Sequence, residues 1–379
     1  RFFYFLVCLF TAGFLVTGFN VSAQTSPTYS VFLLGDAGAP AAEGDAVLNA
    51  LRAQLQGLGS NSSLILLGDN IYQFGLPDAD DPDRADAERR MRQQLDLHRA
   101  FSGRIFAIPG NHDWDKGRRD GWQRIKNQQD FVHQYLGRSD VFYPNDGCPG
   151  PVEIQLSDSL TLVLMDTQYW VHPWAKPGDD SDCSAKTLPD FLTQLDDILF
   201  RNRHRRVVVA GHHPMYSHGE HGAYFTLKDH LFPLTDIRKW LYVPLPGIGS
   251  IYPIYRSVFG SLQDLPNPVY KEMRNGMVGI FKKYTNLIYT NGHDHNMQLI
   301  RRDSLYYLTS GSGSKHTPVK KAKESLFAAE KKGFARLDFG DGDQLTISFF
   351  TPSEQTPTGE LVYQTTIKLH PDPLPKRTG

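Results

Sequence analysis

An α/β fold with two mixed β-sheets flanked by helices is predicted from three observations. Short apolar runs ending in Gly, Pro or Asp recur along the chain: YSVFLLGDAG, SLILLGDN, RIFAIPGNHD, LTLVLMDTQ, RRVVVAGHHP and NLIYTNGHDH. The early runs alternate with helix-length amphipathic segments, and strands that are apolar throughout belong to a sheet covered on both faces. The C-terminal stretches FARLDFG, QLTISFF and LVYQTTIKL instead alternate apolar and polar residues. They are expected to complete a second sheet.

In chain order, residues 1–24 carry one basic residue, an apolar stretch from Phe2 to Phe19, and small residues at Val21 and Ala23. That layout predicts a secretory signal peptide spanning residues 1–23, with an uncleaved membrane anchor as the alternative. A single domain is expected over residues 28–370. Helices are predicted over residues 41–56, 84–100 and 121–136. The second is introduced by DADDPDRADAERRMR, whose acids precede its bases and so suit a helix dipole. Residues 236–285 interrupt the rhythm with WLYVPLPGIGSIYPIYRSVFG, rich in Tyr, Pro, Gly and Leu, and read as an insertion.

The 379 residues are long enough to bury a substantial core, and 40% hydrophobic with 21% charged residues excludes a disordered chain. A net charge of -1 shows no bias toward nucleic acid. Of three cysteines, Cys8 lies in the predicted signal, leaving Cys148 and Cys183 as a candidate disulfide of an exported protein. No G-x-S-x-G or G-x-x-x-x-G-K-[ST] motif occurs.

The chemistry gathers where strands end, because ligands of open α/β sheets collect outside the carboxyl ends of the strands. Five predicted strands end in potential metal ligands: Asp36, Asp69 with Tyr72, Asn111 with His112, His212, and His293 with His295. Taken alone, each is explained by a turn, a helix cap or a core histidine. Together they suit two ions. Asp69 can bridge through its two oxygens, Asp36, Tyr72 and His295 can complete one site, and Asn111, His212 and His293 the other. Imidazole, carboxylate and amide oxygen favour borderline first-row metals over calcium. A phenol with an ordinary pKa near 10 ligates at neutral pH only beside a strongly polarising cation, which favours trivalent iron at Tyr72.

The series GDAG, GDNIY, GNHD, VAGHHP and GHDH, with YSHGEHG and LTSGSGS, resembles the purple acid phosphatases of the calcineurin-like metallophosphoesterase superfamily, most closely their small, tartrate-resistant type. The resemblance runs from about Tyr29 to the C-terminal strands and implies a four-layer αββα sandwich. It implies Fe(III) held by Asp36, Asp69, Tyr72 and His295, and a divalent Fe, Zn or Mn held by Asp69, Asn111, His212 and His293. It also implies two outer catalytic histidines, His112 and His221, and hydrolysis of phosphate monoesters by a metal-bound hydroxide. Expected substrates are phosphorylated small molecules or phosphoproteins. The setting is expected to be exported, with no nucleic-acid partner and no stable membrane span after signal cleavage. The alternatives are a phosphodiesterase or nucleotidase with two divalent ions, and a non-catalytic exported binding protein. Two features depart from the pattern: His213 stands where the family commonly has tyrosine, and the insertion has no counterpart in the small type. That insertion reads as a lid, a dimer surface, a membrane-leaning flap or an inert excursion. The lysine-rich stretch SKHTPVKKAKESLFAAEKKG either steers phosphorylated substrates or is solvated surface.

Overall fold

The computed structural model describes residues 27–373 apart from residues 237 and 239. The predicted signal segment lies outside the described residues. The first sheet contains β1 (Tyr29–Leu34), β2 (Ser62–Leu66), β3 (Arg104–Ala107), β11 (Phe334–Phe339), β12 (Gln344–Thr351) and β13 (Glu360–Lys368), in the order β13-β12-β11-β1-β2-β3. The second contains β4 (Val152–Ser157), β5 (Leu160–Leu164), β6 (Arg206–Ala210), β7 (Leu287–Asn291), β8 (Met297–Arg302), β9 (Leu305–Ser310) and β10 (Ser325–Ala329), in the order β10-β8-β9-β7-β6-β5-β4.

Side-chain alternation shows why the central runs are apolar throughout. In β1, Tyr29, Val31 and Leu33 point between the sheets, while Phe32 and Leu34 pack under helices. In β6, Val208 and Ala210 face the partner sheet, and Val207 and Val209 face the opposite helical layer. On one outer face lie α1 (Ala46–Leu55), α2 (Arg84–Leu95) and α3 (Gly121–Leu136). The short α4 (Gln168–Val171) follows β5, and α5 (Leu188–Arg201) packs on the other outer face. The result is the αββα sandwich. Local chemistry agrees with it: Asp45 caps α1 by accepting from the N–H groups of Val47 and Leu48, and Thr187 with Asp190 forms a capping box on α5.

One expectation is corrected. The C-terminal strands do not complete the second sheet; β11 pairs antiparallel with β1 and extends the first. Alternation explains the placement, since Leu345, Ile347 and Phe349 of β12 supply the inner face against Met297 and Leu299 of β8. The other face of β13 stays exposed.

Between β6 and β7 run α6 (Leu227–Leu231), α7 (Ile251–Val258) and α8 (Pro268–Phe281). The last buries Tyr270, Met273, Met277 and Phe281 beside α5 in the second helical layer. By contrast, α7 exposes Ile251, Ile254, Tyr255 and Val258 and turns Arg256 inward. Cys148 and Cys183 are bridged, with Cα atoms 5.4 Å apart. Among the described residues, no helix is long and apolar enough to cross a membrane.

Candidate metal centre

The parallel strands of both sheets end along one edge. Backbone bonds join the sheets there, with Gly35 N–H donating to Ser310 C=O at 2.8 Å and Gly313 N–H to Gly35 C=O at 3.0 Å. The loops turn sharply as they leave the strands, placing Asp36, Asp69 and His293 in the left-handed region at φ 57°, 53° and 71°. Non-glycine residues are held there only where surrounding contacts over-determine them, commonly at functional sites. The glycines before the polar residues serve close approach. A Cβ at Gly110 would come within 2.4 Å of Asp69 Oδ1, and one at Gly292 within 2.5 Å of Asp36 Oδ2.

This edge brings the sequence-predicted residues together. Tyr72 O–H donates to Asp36 Oδ1 at 3.0 Å and stands 3.1 Å from His295 Nε2, which is 3.4 Å from the same Asp36 oxygen. On the other side, Asn111 Oδ1 lies 3.0 Å from both His212 Nε2 and His293 Nδ1, and these two nitrogens are 3.2 Å apart. Asp69 lies between the groups, with Oδ1 3.4 Å from His212 Nε2. Asp36, Asp69 and His212 each offer a ligand atom within 4.8 Å of the others, and all three are buried.

The donor set fits cations. His212 Nδ1 is 2.8 Å from Leu67 C=O, and His293 Nε2 is 2.8 Å from Gln263 C=O. A carbonyl can only accept, so each ring places its proton there. Three lone pairs, from His212 Nε2, His293 Nδ1 and Asn111 Oδ1, therefore converge with no proton among them. Electrostatics agree. Burial, reinforced by the charge on Asp69, pushes Asp36 up to about 7 despite the opposing pull of His212. Burial and the two carboxylates push Tyr72 well above its ordinary value. Burial also lowers His295 to about 4 and His293 far below the ordinary imidazole value. A cation relieves all of these at once.

A family model described as calcineurin-like phosphoesterase matches residues 29–242, more than half the chain. The chain belongs to the calcineurin-like phosphoesterases. The phosphoesterase is similar to purple acid phosphatase 7 of Arabidopsis thaliana, 24% identical over 281 residues that cover 72% of this chain and 68% of the relative. It is 23% identical to the human (Homo sapiens) tartrate-resistant acid phosphatase type 5 over 291 residues, covering 74% of this chain and 69% of that protein. The purple acid phosphatase PPD1 from yellow lupin (Lupinus luteus) seeds shares the fold at a TM-score of 0.52 and 13% identity, over 90% of this chain and 54% of its own.

Around the cluster, the phosphoesterase arranges further polar groups. His112 gives Nδ1 to Gln73 C=O at 2.7 Å, leaves Nε2 3.8 Å from Asp69 Oδ2, and sets its ring against Tyr72. Burial lowers its pKa to about 4. Asp113 ties two ligand loops together by accepting from the N–H groups of Gly110, Asn70 and Ile71. His221 lies against His293 with ring centres 3.9 Å apart and planes tilted by 32°. Burial alone would lower its pKa, but a hydrogen bond to Asp264 and the charges of Asp294 and Asp264 raise it to about 9. His213 is fully buried, bonded to Thr167 Oγ1 and Gln263 Oε1, and lowered to about 3 by burial.

Four further groups were not singled out by sequence reading, although Lys315 falls in the lysine-rich stretch expected either to steer phosphorylated substrates or to be solvated surface. Lys315 lies with Nζ 3.4 Å from the Tyr72 ring centre. Its signal was present, since GSGSK follows β9, another parallel strand with its carboxyl end at this edge. Gln263, Asp264 and Arg256 come from the segment between β6 and β7, where no motif marks them.

Proposed function

We propose that this phosphoesterase hydrolyses phosphate monoesters at a dinuclear centre of one ferric and one divalent ion, iron, zinc or manganese, as the purple acid phosphatases named above would suggest. The observation that carries the reading is the convergence of His212 Nε2, His293 Nδ1 and Asn111 Oδ1 after both imidazole protons have been given to backbone carbonyls. Asp36, Asp69, Tyr72 and His295 would hold the ferric ion, and Asp69, Asn111, His212 and His293 the divalent one. When bound, the pair supplies Lewis acidity and a water made nucleophilic near neutral pH.

The chain's own groups handle the ester. Lys315 adds a cation beside Tyr72 that attracts a phosphoryl dianion. His221, with Nδ1 engaged by Asp264, keeps Nε2 for a phosphoryl oxygen. His112, with its Nδ1 proton given to Gln73, keeps the Nε2 lone pair to take a proton from the attacking water and pass it to the departing alkoxide. Asp36 and Asp69 would both be committed to metal, so no carboxylate remains as a nucleophile. Phosphorylated small molecules or phosphoproteins, met in an exported setting, are the corresponding substrates.

The test is a comparison of kcat/KM for an aryl phosphate monoester and the matching diester on metal-loaded protein. A monoester preference of about tenfold or more supports the reading. A diester preference with two divalent ions bound replaces it with a phosphodiesterase, and fully loaded protein inert on both replaces it with a non-catalytic binding protein.

A further inference from the structure

Between α7 and α8, one short stretch of the insertion meets three imidazoles of the site. Gln263 offers its backbone carbonyl to His293 Nε2 and its side-chain oxygen to His213 Nε2, both at 2.8 Å. Leu265 N–H donates to His221 C=O at 2.9 Å. Asp264, 1% exposed, places Oδ1 2.8 Å from His221 Nδ1. His221 is thus held at its main chain by Leu265 and at its side chain by Asp264.

Asp264 is itself held. Arg256 Nε donates to Oδ2 at 2.9 Å, and a second guanidinium nitrogen donates to Oδ1. Ser261 adds its N–H and its hydroxyl to Oδ2, each at 2.8 Å. Arg256 also pairs with Glu220, the residue before His221. A carboxylate so supplied with donors stays ionised and can only accept, which keeps a proton on His221 Nδ1 and leaves Nε2 as the ring nitrogen not engaged by Asp264. The backbone of the His221 loop is fixed from another side, where His221 N–H donates to Asp294 Oδ1 at 3.2 Å.

We propose that Asp264, backed by Arg256, is a positioning residue that fixes the rotamer of His221 and holds a proton on its Nδ1, making the insertion a working part of the phosphate-ester site. Its effect on turnover depends on the phosphatase reading above; its effect on the imidazole does not. Removing the partner that orients a functional imidazole commonly costs ten- to a hundredfold.

The experiment compares wild type, Asp264→Asn, Asp264→Ser, His221→Ala and the double variant Asp264→Asn/His221→Ala, at matched metal content and after thermal melting confirms folding. Either Asp264 variant should lower kcat/KM for a phosphate monoester by about ten- to a hundredfold, and the double variant should fall no lower than His221→Ala within about twofold, because the two residues act as one unit. A merely structural role predicts losses that multiply. Multiplying losses, or folded Asp264 variants within about twofold of wild type, overturn the proposal. Histidine-selective 1H–15N NMR reads the same relationship without turnover. A hydrogen-bonded imidazole N–H resonance absent from His221→Ala should also be absent from both Asp264 variants, and its persistence in them overturns the assignment. If wild type turns over no ester yet the resonance behaves as expected, the phosphatase reading falls and the positioning stands.

Discussion

His212 Nε2 and His293 Nδ1 face each other at 3.2 Å, and each ring has already given its one proton to a backbone carbonyl. Two lone pairs at that distance repel unless a cation lies near them. Metal should therefore stabilise the fold by mass action, and ions at about 100 times their Kd contribute about 2.7 kcal/mol. Thermal melting with chelator, then with added zinc or manganese, should show a lower Tm that is restored. Asn111→Ala, which removes the third acceptor, should weaken divalent binding by about tenfold or more, or at least about 1.4 kcal/mol, in a titration. An unchanged Tm on chelation of loaded protein would remove the cation from this account.

Tyr72 makes the metal visible. Burial and two carboxylates hold its phenol protonated, so only a strongly polarising ion displaces the proton. Protein purified aerobically should show a broad visible charge-transfer band with about one iron per chain, by the ligand chemistry above. Tyr72→Phe should lose the colour. Colourless wild type holding two zinc or manganese ions would sink the ferric assignment.

Trp114 is fully buried, and its indole N–H donates to Asp166 Oδ2 at 2.7 Å. Replacing it with phenylalanine keeps an aromatic ring but removes a donor from a buried carboxyl group. The expected cost is about 1–3 kcal/mol, read from denaturant midpoints. A change within experimental error would show that the indole bond contributes nothing.

His172 supplies an acid limit to stability. Burial, with help from the charge of Lys176, depresses its pKa to about 4, and neither ring nitrogen has a hydrogen-bond partner among the described residues. The folded state therefore resists protonation that the unfolded chain accepts near 6.5. Its contribution is fully present above about pH 6.5 and is lost as the pH falls toward 4. Melting curves of His172→Phe should fall less steeply than wild type across that window, and parallel curves would assign the acid loss to other groups.

The Cys148–Cys183 bridge spans 35 residues and joins the segment before β4 to the loop before α5. Loop-closure entropy predicts that it stabilises the fold by about 3–4 kcal/mol. The double variant Cys148→Ser/Cys183→Ser should show a correspondingly lower denaturant midpoint. Equal midpoints for oxidised and reduced protein would contradict this.

Much of the architecture and the inner site was legible because both are written locally. Strand ends, glycines and ligands occur within a few residues of one another, as in GDNIY and GHDH, and the period of apolar residues separates doubly covered strands from one-sided ones. The placement of β11 was not legible, because alternation names a face and not the neighbouring strand. It was decided by pairing with β1 across about 300 residues of chain, as in Val31 opposite Leu337. Lys315 belonged to the same strand-end rule but lacked a recognisable ligand motif.

By itself, then, the sequence determined the strand-and-helix succession and the kinds of donor at each strand end, since periodicity and turn chemistry depend on near neighbours. Only the tertiary structure decided that those donors meet, that both imidazole protons are spent on carbonyls, and that the segment between β6 and β7 returns Arg256, Gln263 and Asp264 to the site. Those contacts join residues far apart along the chain. Their partners are chosen by burial, which leaves a charged or polar side chain no favourable alternative to the groups the fold brings beside it.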